Sequence, residues 1–168
     1  MTTLIRTATV ADAGLILDFV RELAVYEKLA GEVVATEDLL RDTLFGPGAT
    51  AEVLIAEADG QAAGFALFFH NYSTFLARPG IYLEDLFVRQ QFRGRGVGRA
   101  LLAQIAHLAR ERKCGRVEWS VLDWNQPAIR FYQSLGAVPQ DQWTTFRLTG
   151  ECIGDLANLA TQPSGELA

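Results

Sequence analysis

Apolar positions along the chain keep two rhythms, one of about 3.6 residues and one of two, and the rhythms change in blocks. Leu4 to Ala8 is a short β-like run. Thr9 and Asp12 then form a capping-box pattern, and Leu15, Phe19, Leu23 and Tyr26 recur at helical spacing to about Lys28, with Gly31 as the break. Thr36-Glu37-Asp38 starts a second helix carrying Leu39, Leu40, Leu44 and Phe45, and Gly46-Pro47-Gly48 ends it. Glu52 to Ala58 reads as a strand, Asp59-Gly60 as a hairpin turn, and Gln61 to about His70 as an apolar return strand covered on both faces. Asn71 to Gly80 is expected to be a loop. Ile81 to Val88 is a further strand, with Glu84 and Asp85 in mid-run.

Past Arg93, Val97, Leu101, Ile105 and Leu108 make one helical stripe that gives out at Lys113-Cys114-Gly115. Arg116 to Val121 is the next strand. Pro127 stands in the first turn of a helix with Ala128, Ile129, Phe131 and Tyr132, closed by Gly136. Trp143 to Leu148 is expected to be a last strand, Cys152 to Leu159 a short helix, and Thr161 to Ala168 a frayed tail. The order β-α-α-β-β-β-α-β-α-β is a mixed α/β layer, read as a single domain over residues 1–168.

The junction of strand and helix at Arg93-Gly94-Arg95-Gly96-Val97-Gly98-Arg99 carries the first chemical signal. A glycine-rich turn between strand and helix aims backbone N–H groups at an anion, so a phosphate-bearing ligand is implied. A Walker loop is excluded because no Lys follows the glycines. A dinucleotide fingerprint counted from Gly94 reaches Arg99 where its third glycine belongs. Arg-x-x-Gly-x-Gly does fit, and it resembles the pyrophosphate-binding loop of the GNAT N-acetyltransferases. The resemblance extends over the element order from end to end. It implies a single mixed, mostly antiparallel sheet flanked by helices, an acyl-CoA acyltransferase fold.

Composition narrows the partners. The 168 residues carry a formal charge of −5, which argues against general nucleic-acid binding. No apolar run approaches the roughly 18 residues of a membrane span, so no membrane partner is expected. Two cysteines, Cys114 and Cys152, make neither a disulfide framework nor a metal cluster, and a cytoplasmic protein without metal is expected. His70 and His107 have no sequence partners for metal or nucleophile work.

A second element, Asn125-Gln126-Pro127-Ala128-Ile129-Arg130-Phe131-Tyr132, is similar to the family helix that faces the loop and holds coenzyme A against it. Within the family the chain most resembles the diamine (spermidine/spermine) and thialysine acetyltransferases. That likeness rests on Glu22-Leu23-Ala24-Val25-Tyr26-Glu27, on Tyr82 to Val88, and on Trp124 to Tyr132. It implies acetyl-CoA as donor, a small primary amine as acceptor and a homodimer, for which Trp143 to Leu148 offers apolar material. By position, Tyr132 would be the general acid. Leu86, Phe87 and Val88 would pair with the pantetheine arm, and Arg93 to Arg99, Asn125, Pro127 and Ala128 would hold the coenzyme. Tyr26, Glu27, Glu84, Glu118, Trp119 and Ser120 would meet the amine, and Asp141 falls where relatives carry a further acid, after a loop one residue shorter.

The chemistry asks for a carboxylate at the acceptor site. An alkylammonium with a pKa near 10.4 is only about 0.1% neutral at pH 7.4, and only neutral amine attacks a thioester. Adjacent strand residues face opposite sides, so only one of Glu84 and Asp85 should line the site, and Glu84 is the choice. Amino-acid, antibiotic or protein N-terminal acetylation are alternatives within the fold, and a non-catalytic acyl-CoA-binding module is the alternative outside enzymes.

Overall fold

The computed structural model describes residues 2–160, so the expected tail from Thr161 lies outside the described residues. The chain divides into two compact units between Asn125 and Gln126. The first is built on five strands, β1 (Thr3–Thr7), β2 (Ala51–Ala58), β3 (Gln61–Ser73), β4 (Arg78–Val88) and β5 (Val117–Trp119), adjacent in that order. Neighbours from β1 to β4 run antiparallel, and β5 joins β4 in parallel. Three helices flank them: α1 (Ala13–Glu27), α2 (Glu37–Phe45) and α3 (Val97–Glu111). The mixed, mostly antiparallel sheet read from the sequence is therefore present.

Each face of the sheet has its own core. On one, Ile16, Phe19 and Leu23 of α1 meet Val53, Ile55, Phe65 and Phe87, with the Phe19 and Phe65 rings stacked at 5.3 Å. On the other, the α3 stripe of Val97, Leu101 and Ile105 is fully buried, as are Phe68, Ile81 and Leu83. The return strand is apolar because helices cover it on both sides. The helix starts are equally local in origin. Asp12 accepts the Thr9 N–H at 2.8 Å, and the Thr36 hydroxyl accepts that of Leu39 at 3.3 Å.

Three expected boundaries are corrected. Residues 71–80 are mostly strand, since β3 continues to Ser73 and β4 begins at Arg78. The strand expected over 116–121 is ordered as a ladder only from Val117 to Trp119. Trp143 to Leu148 form no strand: among the described residues no neighbouring strand supplies backbone partners, and Trp143, Phe146 and Leu148 are exposed.

The feature of β4 that shapes the site is a break in its register with β3. Leu67 pairs with Asp85 and Phe68 with Leu83, which leaves Glu84 without a partner. Tyr82 pairs with Phe69, two residues from Leu67, so Tyr82 and Asp85 share a face although three positions apart. One inserted residue, a β-bulge, is what permits that. On its other side β4 pairs with β5 only from Ile81 to Leu83. From Glu84 to Val88 that edge has no strand beside it among the described residues.

The second unit contains α4 (Gln126–Gln133) and α5 (Glu151–Leu159). The turn after α4 is closed by Ala137 N–H donating to Tyr132 O at 3.2 Å. In it the Phe131 and Tyr132 rings lie 5.4 Å apart.

Candidate active site

Beyond β4 the chain makes one tight turn at Gln90–Phe92 and then runs through Arg93 to Gly96 into α3. Gly94 and Gly96 have φ of 72° and 85°, values that a side chain disfavours. A Cβ built on either meets nothing within 4 Å, so the space above them is open to a ligand rather than filled by protein. The first amide of α3 that bonds back into the helix is Ala100, to Gly96 O at 2.9 Å. The N–H groups of Val97, Gly98 and Arg99 thus have no intrahelical acceptor, and they emerge where Arg95 and Arg99 are exposed. Backbone amides so arranged, with cations at the rim, form a cradle of the kind that can hold an anion.

The open edge of β4 leads into the cradle. Arg89 N–H donates to Ala63 O on β3, so alternation turns the N–H groups of Leu86 and Val88 to the unpaired edge. Phe87, grouped with them from the sequence, directs its backbone at β3 and its side chain into the α1 core.

An apolar cavity of about 320 Å³ lies between α1, the segment after it and β4. Val20, Leu23, Ala24, Leu29, Val33, Val34 and Ala35 form its walls, and Glu27, Glu32 and Asp85 are its charged groups. Burial pushes Asp85 up to about 6, helped by the negative charges of Glu84 and Glu27. Burial also raises Glu27. Glu84 itself is exposed, on the bulge. Of the two adjacent acids, Glu84 was the choice from the sequence, and the half-buried one that lines the cavity is Asp85.

A ladder of side chains joins cavity and cradle. The Arg93 guanidinium sits 4.5 Å from the centre of the Tyr26 ring, and its Nε donates to Val88 O at 2.8 Å. The Tyr26 hydroxyl donates to Oδ1 of the buried Asn125 at 3.1 Å. Trp124 lies 6.1 Å from Tyr26, with the Lys28 ammonium 5.3 Å from the Trp124 ring.

Of the other expected residues, Glu118 accepts from Arg116 and Asn71, each at 2.8 Å, so its charge is already compensated. Ser120 bonds the Tyr82 hydroxyl at 2.8 Å, and Trp119 stands at the end of β5. Pro127, Ala128 and Tyr132 are on α4, in the second unit, where Asp141 lies on the shallow surface formed with Pro139, Gln140, Gln142 and Trp143. Of the acids lining the cavity, Asp85 was weighed from the sequence and passed over for Glu84, and Glu32 was not considered. Counting back by two from the core residue Phe87 places Asp85 on the α1 face, whereas the wall around Glu32 has no periodic signal.

Comparison with known proteins adds the family. Residues 18–137 match the acetyltransferase (GNAT) family. The thialysine N-epsilon-acetyltransferase of Sus scrofa is 38% identical over 165 residues, covering 92% of this chain and 96% of that protein. The L-ornithine N5-acetyltransferase NATA1 of Arabidopsis thaliana is 34% identical over 194 residues, covering 89% and 85%. Among solved structures, an integron cassette protein from the mobile metagenome of V. cholerae superposes with a TM-score of 0.79 at 25% identity, covering 94% of this chain and 98% of that one.

Proposed function

The chain belongs to the acetyltransferase (GNAT) family and is an N-acetyltransferase, and from that premise we propose that acetyl-CoA is its donor and a small cationic primary amine its acceptor. The acceptor class is a diamine, a polyamine or a lysine-like amino acid. The observation that carries this reading is the cavity: an open, apolar groove suited to a methylene chain, with Glu27, Glu32 and Asp85 as its charged groups. Thiol release from acetyl-CoA, measured across a panel of diamines, basic amino acids, neutral amines and aminoglycosides, tests it. Equal use of neutral and cationic amines would leave the transferase standing and remove the cationic acceptor.

The residues present fit the coenzyme. Gly94 to Arg99 would hold its pyrophosphate on backbone amides, and the N–H groups of Leu86 and Val88 would line its pantetheine arm. When bound it supplies an activated thioester carbonyl. Val88 N–H, at the open edge beside the cradle, can hydrogen-bond an oxygen that gains charge. Asp85 accepts a proton from the ammonium, directly or through water, since an acid pushed up to about 6 is a far better base than an ordinary aspartate. Glu84 contributes negative charge that keeps Asp85 proton-hungry. Tyr132 is assigned proton donation to the departing thiolate, on the strength of its motif.

Two outcomes test the parts. Gly96→Ala forces a Cβ into a left-handed conformation, at a cost of about 1–2 kcal/mol. Coenzyme A affinity by calorimetry is expected to fall about tenfold, with cooperative melting retained. Glu27→Gln removes one wall charge and is expected to raise KM for a diamine several-fold more than it lowers kcat, an effect reduced at high salt. Lys28, next to Glu27 and with no carboxylate partner among the described residues, is the cation placed to receive the carboxylate of an amino-acid acceptor. The same panel run on Lys28→Gln then loses basic amino acids before diamines.

The reading extends to a cytoplasmic homodimer. Ile153, Leu156 and Leu159 on α5 are exposed, as are Trp143, Phe146 and Leu148, which is apolar surface a second copy can cover. Light scattering at micromolar concentration is expected to return twice the chain mass, and a monomer mass would dismiss the dimer.

A further inference from the structure

Arg93 opens the glycine loop, yet its guanidinium is already engaged by protein. Its Nε holds Val88 O at 2.8 Å, and its charge rests 4.5 Å from the Tyr26 ring and 5.6 Å from that of Phe87. Arg93, Arg95 and Arg99 are all exposed on this loop, and Arg93 differs in having its Nε held by Val88 O and its guanidinium over the Tyr26 ring. Tyr26 is anchored at its far end by the bond to Asn125, at 3.1 Å on a residue 7% exposed. One position on, Glu27 is a wall of the cavity that Asp85 also lines. Cradle and cavity are therefore joined by a cation–π contact and a single peptide link.

We propose that Arg93 is a positioning residue that couples the coenzyme loop to the amine cavity through Tyr26, so that coenzyme and amine each tighten the binding of the other. This rests on the reading of cradle and cavity as coenzyme and amine sites. A loop with two left-handed glycines samples many conformations until an anion is seated on its amides. Seating one fixes the backbone at Arg93, the guanidinium on Tyr26, and with Tyr26 the last turn of α1 that carries Glu27. The ordering is then shared by both ligands, and linkage makes the benefit reciprocal. A phosphate ligand at Arg93 would behave otherwise, lowering coenzyme affinity without reaching the amine.

The test is calorimetric titration of free coenzyme A, which has no acetyl group to transfer, with and without 1,3-diaminopropane. In the wild type the diamine is expected to tighten coenzyme A by about fivefold or more, within the usual range of coupling. Arg93→Gln and Tyr26→Leu, each shown to melt cooperatively, are expected to reduce that factor to near one. A second readout needs no amine. The amides of Lys28 and Leu29 close α1 by bonds to Val25 O and Ala24 O. Coenzyme A alone should slow their hydrogen exchange in the wild type and leave it unchanged in Arg93→Gln. Independent binding in the wild type overturns the coupling, as does an Arg93→Gln protein that loses coenzyme affinity but keeps the coupling and the exchange response. No binding of coenzyme A to the wild type overturns the site reading as well.

Discussion

Asp85→Asn is expected to lower kcat by about 10²–10⁴-fold while making the protein more stable at neutral pH. The amide fills the same space but takes no proton, so the step that neutralises the ammonium loses its acceptor. Stability moves the other way because the native site disfavours the charged form. Asp85 is raised from 3.8 to about 6 by burial and by Glu84 and Glu27. For a group raised in the folded state, the stabilising contribution is complete below 3.8 and is lost as pH climbs through about 6. Above that pH the ionised side chain costs up to about 3 kcal/mol. Denaturation at pH 8 should therefore find the variant more stable by as much as that amount, with the gap closing below pH 4. In the wild type the acid limb of the rate profile should fall with an apparent pKa near 6. An Asp85→Asn enzyme of normal rate and stability would return the role of base to Glu84.

Tyr132→Phe is expected to lower kcat by about 10²–10⁴-fold with little change in KM for acetyl-CoA. The substitution removes one hydroxyl from a helix whose aromatic pair, Phe131 and Tyr132, keeps its ring contact. Unassisted, the departing thiolate must leave as the anion, and the loss should grow with the pKa of the leaving thiol. A rate within twofold of wild type, about 0.4 kcal/mol, would make Tyr132 a packing residue.

What was legible in the sequence is what local chemistry decides. Val97, Leu101 and Ile105 announce their helix because three or four residues return to the same side of it, and Gly94 and Gly96 announce a turn that other residues resist. What escaped depends on partners elsewhere. Pro79-Gly80 reads as loop punctuation, but Gly80 is buried in β4, where a Cβ would meet Asn71 Oδ1 at 2.3 Å. The glycine is there for close approach between strands. Trp143 to Leu148 is rich in strand-forming side chains, and propensity alone makes no ladder. The cavity beside α1 escaped most fully, since one wall is the aperiodic segment from Leu29 to Ala35. Asp85 was within reach, since it stands two residues before the core residue Phe87, whereas the pairing slip that leaves Glu84 outside the ladder is visible only beside β3.

That slip has a consequence for the length of the chain. Leu83 and Asp85 already face consecutive residues, Phe68 and Leu67. If Glu84 were deleted they would be neighbours in an unbroken ladder, each still on its present side. The arithmetic of the hairpin closes without it. Most interior strand positions punish a one-residue deletion by inverting everything on one flank, but here shortening would keep both cores on their present faces and remove only the bulge. Glu84 is surplus to the pairing of β3 with β4.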